Sequence, residues 1–108
     1  MGSIGTISSI NTKNNYANIN TLDNLRTAYT AELDRLSAEQ YESSRSFGEE
    51  LDVLDTRYYR VKDIDANTYK TQKQNLINDR QSSQDYYNKL IEKANKDFKA
   101  RRDELENK

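Results

Sequence analysis

The chain contains no cysteine, histidine, proline or tryptophan among its 108 residues. Without cysteine there is no disulfide framework and no thiolate, and without histidine the most common general base and metal ligand is missing. Proline is absent and the three glycines are Gly2, Gly5 and Gly48, so helix breakers are almost absent from residue 21 onward. These absences favour long helices and argue against an enzyme.

Carboxylates are the remaining side chains that could bind a cation or work as an acid–base pair. Asp63 and Asp65 are close in sequence, but this segment lacks the glycine and the terminal glutamate of a calcium loop. A glycine-rich phosphate-binding loop does not occur either. We therefore expect no catalytic residue, no metal site and no cofactor, and we predict a protein that is not an enzyme.

The composition suits thin helical assemblies rather than a thick core. Hydrophobic residues make up 33% of the chain and charged residues 32%, which is enough for helices that each bury one apolar stripe. The 17 basic and 18 acidic side chains nearly cancel, so no overall field attracts nucleic acid or an anionic membrane. We find no apolar run long enough to span a bilayer and no signal-peptide pattern, and we expect a soluble protein made in the cytoplasm.

A helix start in the middle of the chain predicts a helical hairpin. Asp65 has an N-cap side chain, and Ile64 and Tyr69 have the spacing of a hydrophobic staple around it. This short stretch resembles the helical motif of SHOCT domains, a resemblance that implies only a capped helix start. We predict an all-α, coiled-coil-like antiparallel hairpin, with helix 1 over about 21–62, a turn at 63–65 and helix 2 over about 66–107.

Apolar residues at alternating spacings of three and four predict the seam between the two helices. In an antiparallel pair, facing residue numbers have a constant sum, which places Tyr29 opposite Phe98 and Tyr58 opposite Tyr69. The predicted seam comprises Leu22, Tyr29, Leu33, Leu36, Leu51, Tyr58, Tyr69, Leu76, Ile91, Ala94, Phe98 and Leu105. Leu54 falls opposite Lys73, which predicts a weak layer in which the lysine stem must reach out to solvent.

The middle of the hairpin is predicted to be a polar waist. Gln40 and Ser43 fall opposite Tyr87 and Gln84, where polar layers contribute little burial. Gly48 nearby costs roughly 1 kcal/mol relative to alanine in a helix. The two open interpretations are a solvated stretch of continuous helix and a bend or break in both helices at this level.

Residues 1–20 are predicted to form an N-terminal docking arm. The segment is rich in Ser, Asn and Thr, and Lys13 is its only charged side chain. We predict that its apolar side chains bind a groove of a partner: Ile4, Ile7, Ile10, Tyr16 and Ile19. The alternative is a disordered leader, since such a composition argues against independent folding.

A local positive charge over residues 93–102 has two interpretations. Cations near a helix C-terminus interact favourably with the helix dipole, and these could also pair with Glu32, Asp34 and Glu39 of helix 1. The other interpretation is a contact with nucleic acid, which the interleaved Asp103, Glu104 and Glu106 weaken.

The sequence favours a non-enzymatic structural or assembly subunit of a large multi-copy complex, such as a phage virion or a bacterial secretion-type machine. Richness in Asn, Ile, Lys and Tyr is typical of AT-rich coding genomes. The expected partners are other protein subunits, in a homo-oligomer or a larger assembly, and incorporation into a virion is one expected location. The alternatives are a helical adaptor or chaperone that binds a partner protein, and a nucleic-acid contact through residues 93–102.

Overall fold

The computed structural model describes residues 13–107, which form two long helices packed against each other. Helix α1 spans Leu22–Asp55 and helix α2 spans Ala66–Glu106, and no strand occurs within residues 13–107. The predicted all-α helical hairpin is confirmed. The molecule measures 66 × 23 × 14 Å, and its radius of gyration is 19.5 Å. A compact chain of this length would have a radius of about 13 Å, so the hairpin is a thin rod.

Both helices begin at a side-chain cap. The Thr21 hydroxyl accepts a hydrogen bond from the Asn24 N–H at 3.2 Å, and the Asp65 carboxylate accepts one from the Thr68 N–H at 2.7 Å. The backbone hydrogen bond from Thr68 lowers the pKa of Asp65. The predicted N-cap is therefore present, and it starts α2 directly after the chain reverses.

The end of α1 differs from an ordinary helix because its last turn is wide. Thr56–Val61 form one π-helical turn, and Lys62 then adopts the left-handed region at φ 60° and ψ 37°. The N–H groups of Lys62 and Asp63 both donate to the Arg57 carbonyl, the latter at 3.1 Å. The chain thus reverses without glycine or proline, and its helix C-terminus is closed by a lysine where glycine is preferred.

Both helices pass through the polar waist without a break. The Ser43 and Ser83 hydroxyls lie 2.8 Å apart, and Ser83 is buried, so the partner of Ser43 is Ser83 and not the expected Gln84. Gly48 is exposed within α1. Neither helix is therefore broken at the waist, and Ser83 is buried there rather than solvated.

The apolar core is a narrow line of side chains along the rod. Leu25 and Leu36 of α1 are fully buried. The other buried apolar residues are Tyr16, Leu54, Tyr69 and Ala94. Most side chains of the molecule consequently keep contact with solvent.

Candidate interaction surfaces

Every predicted seam residue is buried or half-buried, and two of the predicted aromatic layers stack across the helices. Tyr29 stacks on Phe98 with 4.2 Å between ring centroids, and Tyr58 stacks on Tyr69 at 4.3 Å, which is the register expected from the constant sum. Leu36, Tyr69 and Ala94 are buried. The remaining predicted seam residues are half-buried: Leu22, Tyr29, Leu33, Leu51, Tyr58, Leu76, Ile91, Phe98 and Leu105. A two-helix seam therefore leaves a flank of each layer uncovered.

Two leucines outside the predicted seam are among the most buried residues. Leu25 is 0% exposed and Leu54 is 4% exposed. The ammonium group of Lys73, expected opposite Leu54, lies 5.5 Å from the centroid of the Tyr69 ring, where a cation is attracted to the aromatic face. Each leucine follows a predicted seam residue by three positions, so both belong to the apolar stripes of helix 1 that the sequence displays.

Residues 13–20, hereafter the anchor segment, lie along one face of α2. The residues of α2 that hold the segment are Lys93, Asp97 and Arg101, each one helical turn after the last. Each makes one hydrogen bond with the segment backbone. Lys93 Nζ donates to the Lys13 carbonyl (2.6 Å) and Arg101 Nε donates to the Ile19 carbonyl (2.9 Å). The Asp97 carboxylate accepts from the Asn15 N–H (3.1 Å). This part of the predicted arm is thus a third layer on the chain's own hairpin.

Asp97 is the centre of this contact. It is 7% exposed, its carboxylate pairs with the Lys93 ammonium, and its carbonyl accepts from the Asn14 side-chain amide at 3.0 Å. A buried ion pair stabilises a fold only when its remaining hydrogen-bonding groups are also satisfied. The backbone of the anchor segment supplies those partners, so the ion pair and the segment depend on each other.

Tyr16 differs from the prediction that it enters a partner's groove. Its side chain is buried in the chain's own fold, and the residue is 4% exposed. Burial raises the pKa of Tyr16 to about 12, with smaller contributions from the charges of Glu32 and Asp97. The physical reason is that two helices bury only one seam, so a third segment gains free energy by covering its flank.

The other predicted arm residues have different positions. Ile19 is half-buried beside Arg101 in the anchor segment. Ile4, Ile7 and Ile10 lie outside the described residues, so their docking stays a prediction.

The positive segment 93–102 is engaged mainly within its own end of the molecule. Lys93 and Arg101 hold the anchor segment, and the Arg102 guanidinium lies 5.9 Å from the Phe98 ring centroid. Two of the three expected partners on helix 1 are paired elsewhere, since Arg35 binds Glu32 at 2.9 Å and Glu39 at 2.6 Å. Lys96 and Lys99 remain exposed.

Three tyrosines form a cluster at the hairpin tip, in which Tyr59 joins the predicted pair of Tyr58 and Tyr69. Tyr59 packs edge-on against Tyr58 at 4.8 Å and against Tyr69 at 5.6 Å. The Tyr69 hydroxyl donates to Asp55 at 2.7 Å, and this hydrogen bond raises the pKa of Tyr69 well above its usual value. Tyr58 and Tyr59 are consecutive residues of the π-helical turn, and both contact Tyr69; Tyr59 stays 61% exposed.

Two grooves flank the seam in the half of the rod nearest the tip. The first, the Val53 groove, has a volume of about 300 Å³ and is lined by Val53, Leu54 and Leu76 with a polar rim that includes Glu50 and Asp79. The second, the Phe47 groove, has a volume of about 200 Å³ and is lined by Phe47, Leu51, Leu76, Ile77 and Arg80. The anchor segment lies against α2 in the other half of the rod.

Exposed apolar side chains are concentrated near the same tip. The large hydrophobic residues with the greatest exposure are Tyr41, Val53, Tyr59, Val61 and Ile77. Four of these lie between residues 53 and 77, in the half of the hairpin that contains the two grooves. Scattered apolar side chains are normal on a surface, but a concentration beside open grooves marks an interaction surface.

Comparison of the chain with protein-family models, with curated proteins and with solved structures gave no match. The resemblance to SHOCT domains thus extends no further than the capped start of α2. Among residues 13–107, no group of three or more Asp or Glu side chains is arranged to hold a metal ion. Neither described helix combines the length and the apolar character that crossing a membrane requires.

Proposed function

We propose that this protein is a non-enzymatic structural or assembly subunit, present in many copies in a larger complex such as a virion or a secretion-type machine. The observation that supports this role is the concentration of exposed apolar side chains beside two grooves in the tip half of a thin rod. Neighbouring subunits bury these helix faces, and the N-terminal isoleucines supply a further contact. A stable interface removes about 800 Å² from each partner, which a rod with 7681 Å² of surface can provide along one face.

Light scattering of the purified full-length protein tests this role. We expect a discrete oligomer or a polymer rather than a mass of 12.6 kDa. The double variant Val61→Glu/Ile77→Glu places charges at two exposed apolar positions, and we expect it to remain a helical monomer. The matched control, Gln74→Glu/Gln81→Glu, adds the same charge at exposed polar positions of α2 and should assemble normally.

A helical adaptor or chaperone that captures a partner along the same grooves is the second candidate. A protein that stays monomeric at all concentrations yet binds one partner stoichiometrically would contradict the assembly role and support the adaptor. Binding to nucleic acid that weakens steeply with salt would instead support a contact through residues 93–102. The use of Lys93 and Arg101 in holding the anchor segment makes this the weakest of the three.

A further inference from the structure

The Val53 groove lies on the same side of the hairpin as the anchor segment. Asp79 lines the groove and Asp97 binds the anchor segment, and 18 residues of α2 separate them, which is about five full helical turns. On α1, Glu50 lines the groove and the charge of Glu32 acts on the buried Tyr16, again about five turns away. Residues separated by whole turns share one face of a helix, so the groove and the anchor segment lie along the same side of the rod.

Read from Ile19 back to Lys13, the anchor segment runs along this side of the rod toward the tip. Ile19 is bound by Arg101, Asn15 by Asp97 and Lys13 by Lys93, so falling residue numbers move toward the start of α2. The start of α2 is at the hairpin tip. A chain that continued in this direction before Lys13 would run toward the Val53 groove.

The length of chain before Lys13 matches the distance to the groove. Lys93 and Leu76 are 17 residues apart on α2, which corresponds to about 25 Å. An extended chain advances at most about 3.3–3.6 Å per residue, so Ile7 reaches about 20 Å and Ile4 about 30 Å beyond Lys13. Ile4 therefore has the reach to lie on Leu76, whereas Ile7 reaches the near end of the groove at Asp79, which is 14 residues or about 21 Å from Lys93. In the same extended path, Ile10 would reach about 10 Å beyond Lys13, which is the level of the half-buried Tyr86 and Leu90.

The chemistry of the segment matches that of the groove. Residues 1–12 carry no charged side chain, and their apolar side chains besides Met1 are Ile4, Ile7 and Ile10. The groove floor is formed by Val53, Leu54 and Leu76, and Val53 is 61% exposed when nothing covers it. An uncharged segment with regularly spaced isoleucines loses little on leaving water and gains by burying apolar surface on such a floor.

We propose that the Val53 groove binds the chain's own N-terminal isoleucines, with Ile4 on its apolar floor, Ile7 at its near end beside Asp79 and Ile10 over Tyr86 and Leu90. The first residues of the chain then continue the third layer that the anchor segment begins. This inference deepens the proposed assembly function, since neighbouring copies carry the same segment and the same groove and can exchange the segment between them.

Engineered cysteines test this docking directly, because the chain has no cysteine of its own. The test pair is Thr6→Cys with Asn75→Cys, which lines the Val53 groove, and the matched control is Thr6→Cys with Ser44→Cys, which lines the Phe47 groove. Disulfide formation requires Cα atoms to approach within about 7 Å. Oxidation is followed at low protein concentration by non-reducing mass spectrometry, which separates internal disulfides from covalent dimers.

We expect the test pair to form an internal disulfide at least about tenfold faster than the control pair, since one buried isoleucine shifts a population by that factor or more. Adding Ile4→Ser/Ile7→Ser should reduce the rate to that of the control. Equal rates for the two pairs, or a rate unaffected by the serines, would overturn the proposal. A covalent dimer as the main product would also overturn it and assign the groove to a second copy. The internal reaction does not require assembly, so it can succeed or fail independently of the light-scattering result.

Discussion

At the scale of single residues, Tyr16 shows that the two helices alone leave apolar surface that a further side chain can cover. An aromatic side chain of a polar N-terminal segment is 4% exposed, although its hydroxyl finds no hydrogen-bond partner among the described residues. Burying a phenol without a partner costs free energy, so the ring must recover more than this cost through apolar burial. Tyr16 is therefore primarily an apolar contact of the fold.

Two substitutions at Tyr16 distinguish the contribution of the ring to stability from that of the hydroxyl. We expect Tyr16→Phe to leave the free energy of unfolding unchanged or to increase it by up to about 1 kcal/mol, because it removes an unpaired polar atom. Tyr16→Ala should lower it by about 3 kcal/mol through lost burial. Urea denaturation measures both changes. A loss of stability in Tyr16→Phe as large as that in Tyr16→Ala would show that the hydroxyl makes an essential contact.

The raised pKa of Tyr16 predicts a loss of stability at alkaline pH. The folded state holds the phenol proton more tightly than the unfolded chain, whose tyrosine pKa is 10.0, against about 12 in the fold. The stabilisation by neutral Tyr16 is therefore fully present below pH 10 and is lost as the pH rises toward 12. It amounts to about 2–3 kcal/mol. Tyr16→Phe should lose less stability than the natural protein over this range, and parallel curves would contradict the prediction.

At the scale of elements, α1 ends in a conformation that its sequence does not favour. Lys62 closes the wide turn with a positive φ, which costs a residue with a Cβ roughly 1–2 kcal/mol. Its N–H and that of Asp63 nevertheless bind the Arg57 carbonyl and satisfy the end of the helix. The hydrogen bonds at the turn and the packing of the tyrosine cluster offset the strain.

Replacing Lys62 should relieve this strain. We expect Lys62→Gly to increase the free energy of unfolding by about 0.5–1 kcal/mol, because glycine adopts the left-handed region without a steric penalty. Lys62→Ala removes the same long side chain but keeps the Cβ, and it should give no gain. Thermal unfolding followed by circular dichroism compares the variants, and equal stabilities of the two would contradict the assignment of strain.

Gly48 lies in the same helix, and its replacement measures the helix-propensity cost of a glycine in α1. A Cβ added there would meet no atom of the described residues within 4 Å, apart from the neighbouring backbone. Gly48→Ala should therefore express the full difference in helix propensity and stabilise the protein by about 1 kcal/mol. Denaturation of the purified variant measures the change. A destabilising effect would show that another subunit packs closely against this position.

The polar waist predicts that backbone hydrogen bonds open more readily in the middle of both helices than on its open-end side. Ser43 and Ser83 contribute one hydrogen bond but little apolar burial, whereas Tyr29 and Phe98 stack at the open end. Hydrogen exchange should be faster over residues 40–48 and 80–86 than over 29–36 and 91–98. Uniform protection along both helices would contradict this expectation.

At the scale of the whole molecule, the rod has two halves with different coverage. Near the open end, the anchor segment forms a third layer through Lys93, Asp97 and Arg101. Near the tip, the described residues leave both grooves open. Among the described residues, the open end thus has a third layer on the hairpin, whereas the tip half has apolar grooves that are available for further contacts.

Two truncations distinguish folding from assembly. Deleting residues 1–12 should preserve the anchor and cost only the contribution of the isoleucines to stability, and it should weaken association because copies can no longer exchange this segment. Deleting residues 1–20 should lower the free energy of unfolding by a further 2–4 kcal/mol, since Tyr16 and the partners of Asp97 are removed; this is about the value of one large buried side chain. Denaturation and light scattering measure the two effects. Equal stabilities of the truncated proteins would show that the anchor contributes nothing to the fold.

Local sequence signals determined the helices, the N-cap at Asp65, the antiparallel reversal and the register of the stacked aromatic pairs. These features depend on side chains close in sequence and on spacings of three and four, which one chain of letters displays directly. The anchor segment depended instead on hydrogen bonds between residues about 80 positions apart, such as Asn15 with Asp97. No periodicity encodes such a contact, because it forms only after the hairpin has brought one face of α2 beside the N-terminal segment. The tertiary structure alone therefore decided that part of the predicted arm belongs to the fold, and that α1 widens at its end so that three tyrosines can meet.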